Sequence, residues 1–117
     1  MYKPLRKIDI KWSPDFAYAI GLLASDGFLS NDQRHMGLKA ADLELVENLK
    51  NALHLENRIG YTIPKGNKVT RKHFYIYFGD IFFYKFLNSI GLTSGKSRTI
   101  KKVDLPDKLF SDFLRGL

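Results

Sequence analysis

Residues 13–27 read Ser-Pro-Asp-Phe-Ala-Tyr-Ala-Ile-Gly-Leu-Leu-Ala-Ser-Asp-Gly. Ser13-Pro14-Asp15 is a helix start. Ser13 can accept an orphan N–H, Pro14 suits the first turn, and Asp15 favours the positive end of the helix dipole. The helix is expected to run to about Ser25 and stop at Gly27. Its apolar residues Phe16, Ala17, Tyr18, Ala19, Ile20, Leu22, Leu23 and Ala24 go right round the axis, and a helix apolar all round is buried all round. Ala17, Gly21 and Ala24 lie near one face, where small side chains permit close backbone contact with another helix.

Two short strands follow, Gly27 to Ser30 and Arg34 to Ala41, joined by the turn-rich Asn31-Asp32. In the second, Met36, Leu38 and Ala40 alternate with His35, Gly37 and Lys39. Asp42 caps an amphipathic helix to about Leu53, with Leu43, Val46, Leu49 and Leu53 inward. Residues 55–63 and 72–79 read as a hairpin around the basic loop Pro64 to Lys68. Phe74, Ile76 and Phe78 alternate with His73, Tyr75 and Tyr77. Asp80 caps a helix to about Ile90, ended by Gly91. Leu92 to Asp104 reads as a basic loop. Pro106-Asp107 opens a last helix, with Leu109, Phe110, Phe113, Leu114 and Leu117 on one side.

The order α-β-β-α-β-β-α, plus a final helix, predicts one α+β domain. Its four-stranded antiparallel sheet has helices on one face. The other face would carry His35, Lys39, Arg58, Thr62, His73, Tyr75 and Tyr77. Antiparallel sheets often leave such a face in water; the paired tyrosines beside a basic hairpin tip favour binding instead.

Charge points the same way. The 117 residues hold 19 Lys and Arg against 12 acids, a formal charge of +7. Such an excess suggests a polyanion, nucleic acid before an anionic membrane. Arg58, Lys65, Lys68, Arg71 and Lys72 fall between Asn57 and Gly79, a stretch without acids; so do Lys85, Lys96, Arg98, Lys101 and Lys102 between Ile81 and Val103. The acids collect at Asp42, Glu44, Glu47 and Glu56, so a basic and a more acidic side are expected. The absence of cysteine excludes disulfides and thiolate metal sites. The apolar run Phe16 to Ser25 is too short to span a bilayer, and Met1 to Lys11 is too polar for a signal peptide. An intracellular, non-secreted protein is expected.

Residues Ala19 to Gly27 resemble the LAGLIDADG signature of homing endonucleases, with Gly21, Leu22, Asp26 and Gly27 in register. Ala24 replaces the signature's first acid, leaving Asp26 as the candidate ligand. The element order is similar to that family's, as is the run Phe86-Leu87, Gly91-Leu92, Lys96-Ser97 and Pro106. The resemblance covers nearly the whole chain. It implies a saddle-shaped sheet and a site-specific endonuclease that cuts duplex DNA. Asp26 and Gly27 would hold Mg²⁺, or another divalent cation such as Mn²⁺, and Lys96 would stand near the scissile phosphate. DNA would be contacted by Ser30, Arg34, His35, Lys39, Arg58, Thr62, Lys65, Lys68, Arg71, His73, Tyr75 and Tyr77. Signature helices of this family pack in pairs, so Ala17, Gly21 and Ala24 would meet a twin in a homodimer or a second LAGLIDADG half. Two facing copies of Asp26 repel and call for a cation, and Mg²⁺ suits carboxylate, water and phosphate oxygens.

Asp26-Gly27 read alone is also a common turn pair. At the helix C-terminus its charge opposes the dipole by about 0.3–1 kcal/mol. Leu114-Arg115-Gly116-Leu117 resembles the opening of a second signature. Two other functions compete. One is a non-cleaving DNA- or RNA-binding module of the same fold, a maturase or regulator. The other is a single-stranded RNA binder stacking bases on Tyr75 and Tyr77; His73 to Phe78 lacks the glycines that such a reading wants. His35, His54 and His73 do not have metal-ligand spacing.

Overall fold

The computed structural model describes residues 8–62, 73–93 and 103–117. Helix α1 (Pro14–Ser25) is capped as its sequence requires: the Ser13 side chain accepts from the Phe16 N–H at 3.1 Å. Every residue from Phe16 to Ala24 is buried, which accounts for the lack of a polar face. Strands β1 (Gly27–Leu29) and β2 (His35–Ala40) form the first hairpin. Helix α2 (Leu43–Ala52) follows, with Asp42 accepting from the Glu44 N–H. Then come β3 (Gly60–Thr62), β4 (His73–Gly79) and α3 (Ile81–Ser89). A single 3-10 turn, Asp107–Leu109, leads into α4 (Phe110–Arg115).

The four strands form one antiparallel sheet in the order β1-β2-β4-β3. Met36, Leu38, Ile76 and Phe78 point inward and are buried under α1, α2 and α3. The fold is therefore α+β, with a four-stranded antiparallel sheet covered on one side. No helix among the described residues is long and apolar enough to cross a membrane. Asp42, Glu44 and Glu47 are exposed at the start and outer face of α2.

Several expectations need correction. β3 begins at Gly60 instead of residue 55, because Leu55 is drawn out of any ladder and buried in the core. Leu43, expected inward, is exposed at the first turn of α2. The apolar residues of the last helix do not share a side: Leu109 and Phe113 are buried, whereas Phe110, Leu114 and Leu117 are exposed.

The largest correction concerns Ala17, Gly21 and Ala24. All three are buried within the chain, and α4 covers the helix at Gly21. A Cβ on Gly21 would lie 2.1 Å from the Phe113 carbonyl oxygen, and one on Gly116 would lie 2.2 Å from the Tyr18 carbonyl oxygen. The two backbones cross glycine against glycine. Arg115 lies over the Tyr18 ring at 4.4 Å, and the Ser25 hydroxyl donates to the Gly116 carbonyl at 3.4 Å. The face expected to stand open for a twin is occupied by the chain's own last helix.

Asp80 ties distant parts together. It is 2% exposed; its Oδ1 accepts from the Phe83 N–H at 2.9 Å and its Oδ2 from the Ile8 N–H at 3.2 Å. Its own N–H donates to the Arg34 carbonyl at 3.0 Å. Asp80→Asn keeps the helix cap but turns an amide N–H₂ toward the Ile8 N–H. Losing one buried acceptor is expected to cost about 1–3 kcal/mol. Urea unfolding should show a lower midpoint at unchanged slope; an unchanged midpoint would show that Ile8 does not depend on this carboxylate.

Candidate nucleic-acid interface

The strand register builds the site. Lys39 pairs with Tyr75, Gly37 with Tyr77 and His35 with Gly79 across β2 and β4. Thr62 pairs with His73 and Gly60 with Tyr75 across β3 and β4, while Phe28 of β1 pairs with Gly37. Alternation puts all these residues on the sheet's outward face. Phe28, His35, Lys39, Thr62 and Tyr77 are exposed, and His73 and Tyr75 half-buried. No strand position on this face carries an acid. Among the described residues no carboxylate pairs with Lys39. Among the described residues the face therefore offers one unpaired cation, Lys39, beside aromatic rings, while His35 is paired with Asp32; such a face suits a polyanion carrying bases.

Two glycines let the rings lie down. A Cβ on Gly37 would come within 2.7 Å of Tyr77 Cδ1 and 2.9 Å of Phe28 Cε1. One on Gly60 would fall 2.4 Å from Tyr75 Cζ. Tyr75 and Tyr77 stack at 4.5 Å between centroids, and Phe28 meets Tyr77 nearly perpendicular at 5.2 Å. A continuous aromatic ridge thus runs from β1 across β2 to β4 and over β3.

The β1–β2 turn fixes one end of the face. Asp32 accepts from the Arg34 and His35 N–H groups, each at 2.9 Å, and meets His35 Nδ1 at 2.6 Å. The His35 side chain, and then the two backbone N–H groups, hold the Asp32 carboxyl well below the ordinary carboxylate range. A depressed acid stabilises the fold above its unfolded value, so this turn is intact at neutral pH and its contribution fades only as pH falls below the ordinary range. Gln33 takes a left-handed conformation, φ 60°, inside the turn.

The expected contact residues divide accordingly. His35, Lys39, Thr62, His73, Tyr75 and Tyr77 come together on one face. Arg34 is exposed in the turn beside Asp32. Ser30 helps build that turn: its N–H donates to the His35 carbonyl at 2.9 Å, and its carbonyl accepts from the Tyr84 hydroxyl. Arg58 is exposed but precedes β3, outside the ladder. Lys65, Lys68, Arg71 and Lys96 lie outside the described residues. Phe28 was missed, since a strand of three residues shows no alternation of its own.

Asp26 closes α1, its N–H donating to the Leu22 carbonyl at 3.0 Å, and its side chain is exposed. Gly27 is buried and begins β1 opposite Leu38. Among the described residues no group of three His, Asp or Glu could hold a metal ion. One carboxylate does not make a divalent-cation site, so these residues alone do not fit the expected Mg²⁺. His54 is exposed in the turn after α2, with φ 55°. No protein-family model and no curated protein matches this chain, so its assignment rests on the residues and geometry above.

Proposed function

We propose that the chain binds duplex DNA across the outward face of its sheet, as one half of a LAGLIDADG-type endonuclease. The observation that carries this reading is the acid-free strand face, where among the described residues Lys39 has no carboxylate partner and lies beside aromatic and histidine side chains. A saddle-shaped sheet would follow a groove, and its strands would reach base edges there. The glycine crossing of α1 and α4 supports the second half of the proposal. Gly116 packs on Tyr18, Gly21 and Leu22, as the opening of a second signature would pack on a first, and the exposed Phe110, Leu114 and Leu117 would receive a second unit of the same fold. That unit would bring the carboxylate that Asp26 lacks. With both acids present the pair would hold Mg²⁺ or Mn²⁺ and hydrolyse phosphodiester bonds; with Asp26 alone no step is assigned to a metal.

The solitary acid also favours a second reading, a non-cleaving DNA- or RNA-binding module. Both readings require electrostatic binding. Affinity for duplex DNA should fall on the order of a hundredfold between 50 and 200 mM salt, as about four phosphate contacts would give. Lys39→Ala should relax base preference at one position, at a cost of about 1–3 kcal/mol. Titrations at several salt concentrations measure the slope; a nearly flat log–log plot would rule out this face as a phosphate-binding surface.

A further inference from the structure

The outward face is richest in aromatic surface at its centre. Phe28, Tyr77 and Tyr75 fill its centre, lying over Gly37 and Gly60. The polar groups Lys39, His35, His73 and Thr62 flank them. We infer that this ridge reads the C5-methyl groups of thymine in the major groove of duplex DNA. The inference rests on the duplex-binding reading and names what the face would prefer.

The major groove shows thymine's methyl group beside an acceptor, whereas guanine and cytosine show only acceptors and donors at the same depth. A ridge of ring edges gains by covering a methyl group. The ring edges therefore favour thymine over a pair that lacks the methyl group. The groove admits a two-stranded β-ribbon, and β2 with β4 supplies one at the centre of the sheet.

The rings are less suited to stacking on unpaired bases. Tyr75 and Tyr77 already stack on one another, and each also lies against a neighbouring strand at its glycine. Phe28 meets Tyr77 nearly perpendicular. A stacking platform needs an open ring face for each base, and here the rings partly cover one another. What they leave toward solvent is a packed aromatic crest. The glycines make this crest possible, because any side chain at residue 37 or 60 would drive a ring off the sheet.

The test needs no mutation at its first step. The full chain selects duplexes from a randomised pool, and the selected duplexes are remade with uracil in place of thymine, removing only the methyl groups. Each methyl group the ridge covers should contribute about fourfold in affinity. Two or three would make the uracil duplex roughly fifteen- to sixtyfold weaker, with the salt slope unchanged. Tyr77→Ser, at an exposed strand position, should lower affinity for the thymine duplex toward that for the uracil duplex, with the salt slope unchanged. Equal affinity for thymine and uracil duplexes, with a steep salt slope, would overturn methyl reading and leave duplex binding standing. Absence of salt-dependent duplex binding would overturn both. Tighter binding to the single-stranded pool would overturn methyl reading in favour of base stacking.

Discussion

In a pair of units that supplies the second acid, Asp26→Asn is expected to retain duplex binding, or tighten it, and to reduce strand cleavage more than about a hundredfold, beyond the loss typical of an outer-shell partner. The structure separates this effect from folding. Asp26 contributes its backbone N–H to the end of α1, and that bond survives the substitution. Its exposed carboxylate stands at the negative end of a helix dipole, an arrangement unfavourable by about 0.3–1 kcal/mol. Asparagine has the same shape without the charge, so the variant should be as stable as its parent or slightly more so. Removing a negative charge where phosphates would approach also favours binding. The measurements are a nicking assay with Mg²⁺ or Mn²⁺ over a randomised duplex library, a binding titration and an unfolding curve. A variant that cuts as well as its parent would remove Asp26 from the chemistry and leave the non-cleaving module as the better reading.

Much of the fold is legible because local signals agree with burial. Ser13-Pro14-Asp15 opens α1, Asp42 and Asp80 cap α2 and α3, and Gly91 ends the third helix with φ 111°. The alternation in β4 predicts which residues face the core. What escapes the sequence is non-local. Asp80 reads as a helix cap, but its second partner, Ile8, lies 72 residues away. Phe28 joins the outward face only because β1 pairs with β2 at Gly37. Arg58 falls outside the ladder because Leu55 is claimed by the core. The last helix has too few turns for its apolar residues to define one face. Phe113 goes in and Phe110 stays out because α1 lies on one side alone.

Gly21→Leu should lower stability by roughly 3–6 kcal/mol, the burial of two large apolar side chains, because it expels α4. The sign is diagnostic. Glycine inside a helix costs about 1 kcal/mol relative to alanine, so even Gly21→Ala ought to stabilise a helix with nothing against it. Here the first added carbon falls 2.1 Å from the Phe113 carbonyl oxygen and 3.1 Å from the Gly116 Cα. Both neighbours are backbone, so no rotamer change relieves the clash and α4 must move as a body. Phe113 and Leu109, now buried, would lose their cover, along with the Arg115 contact on Tyr18 and the Ser25 bond to Gly116. Gly116→Leu should do the same from the other side, since its Cβ position is 2.2 Å from the Tyr18 carbonyl oxygen and 2.8 Å from the Leu22 nitrogen. Once either substitution has displaced α4, the second has little left to break. The double variant should therefore cost far less than the sum of the singles, a non-additivity expected for groups in direct contact. Urea denaturation of the parent, both leucine variants, their double variant and Gly21→Ala measures this. Additive losses, or a Gly21→Ala variant more stable than the parent, would show that the crossing does not hold the last helix. Helix α1 would then be open to a second copy of the chain.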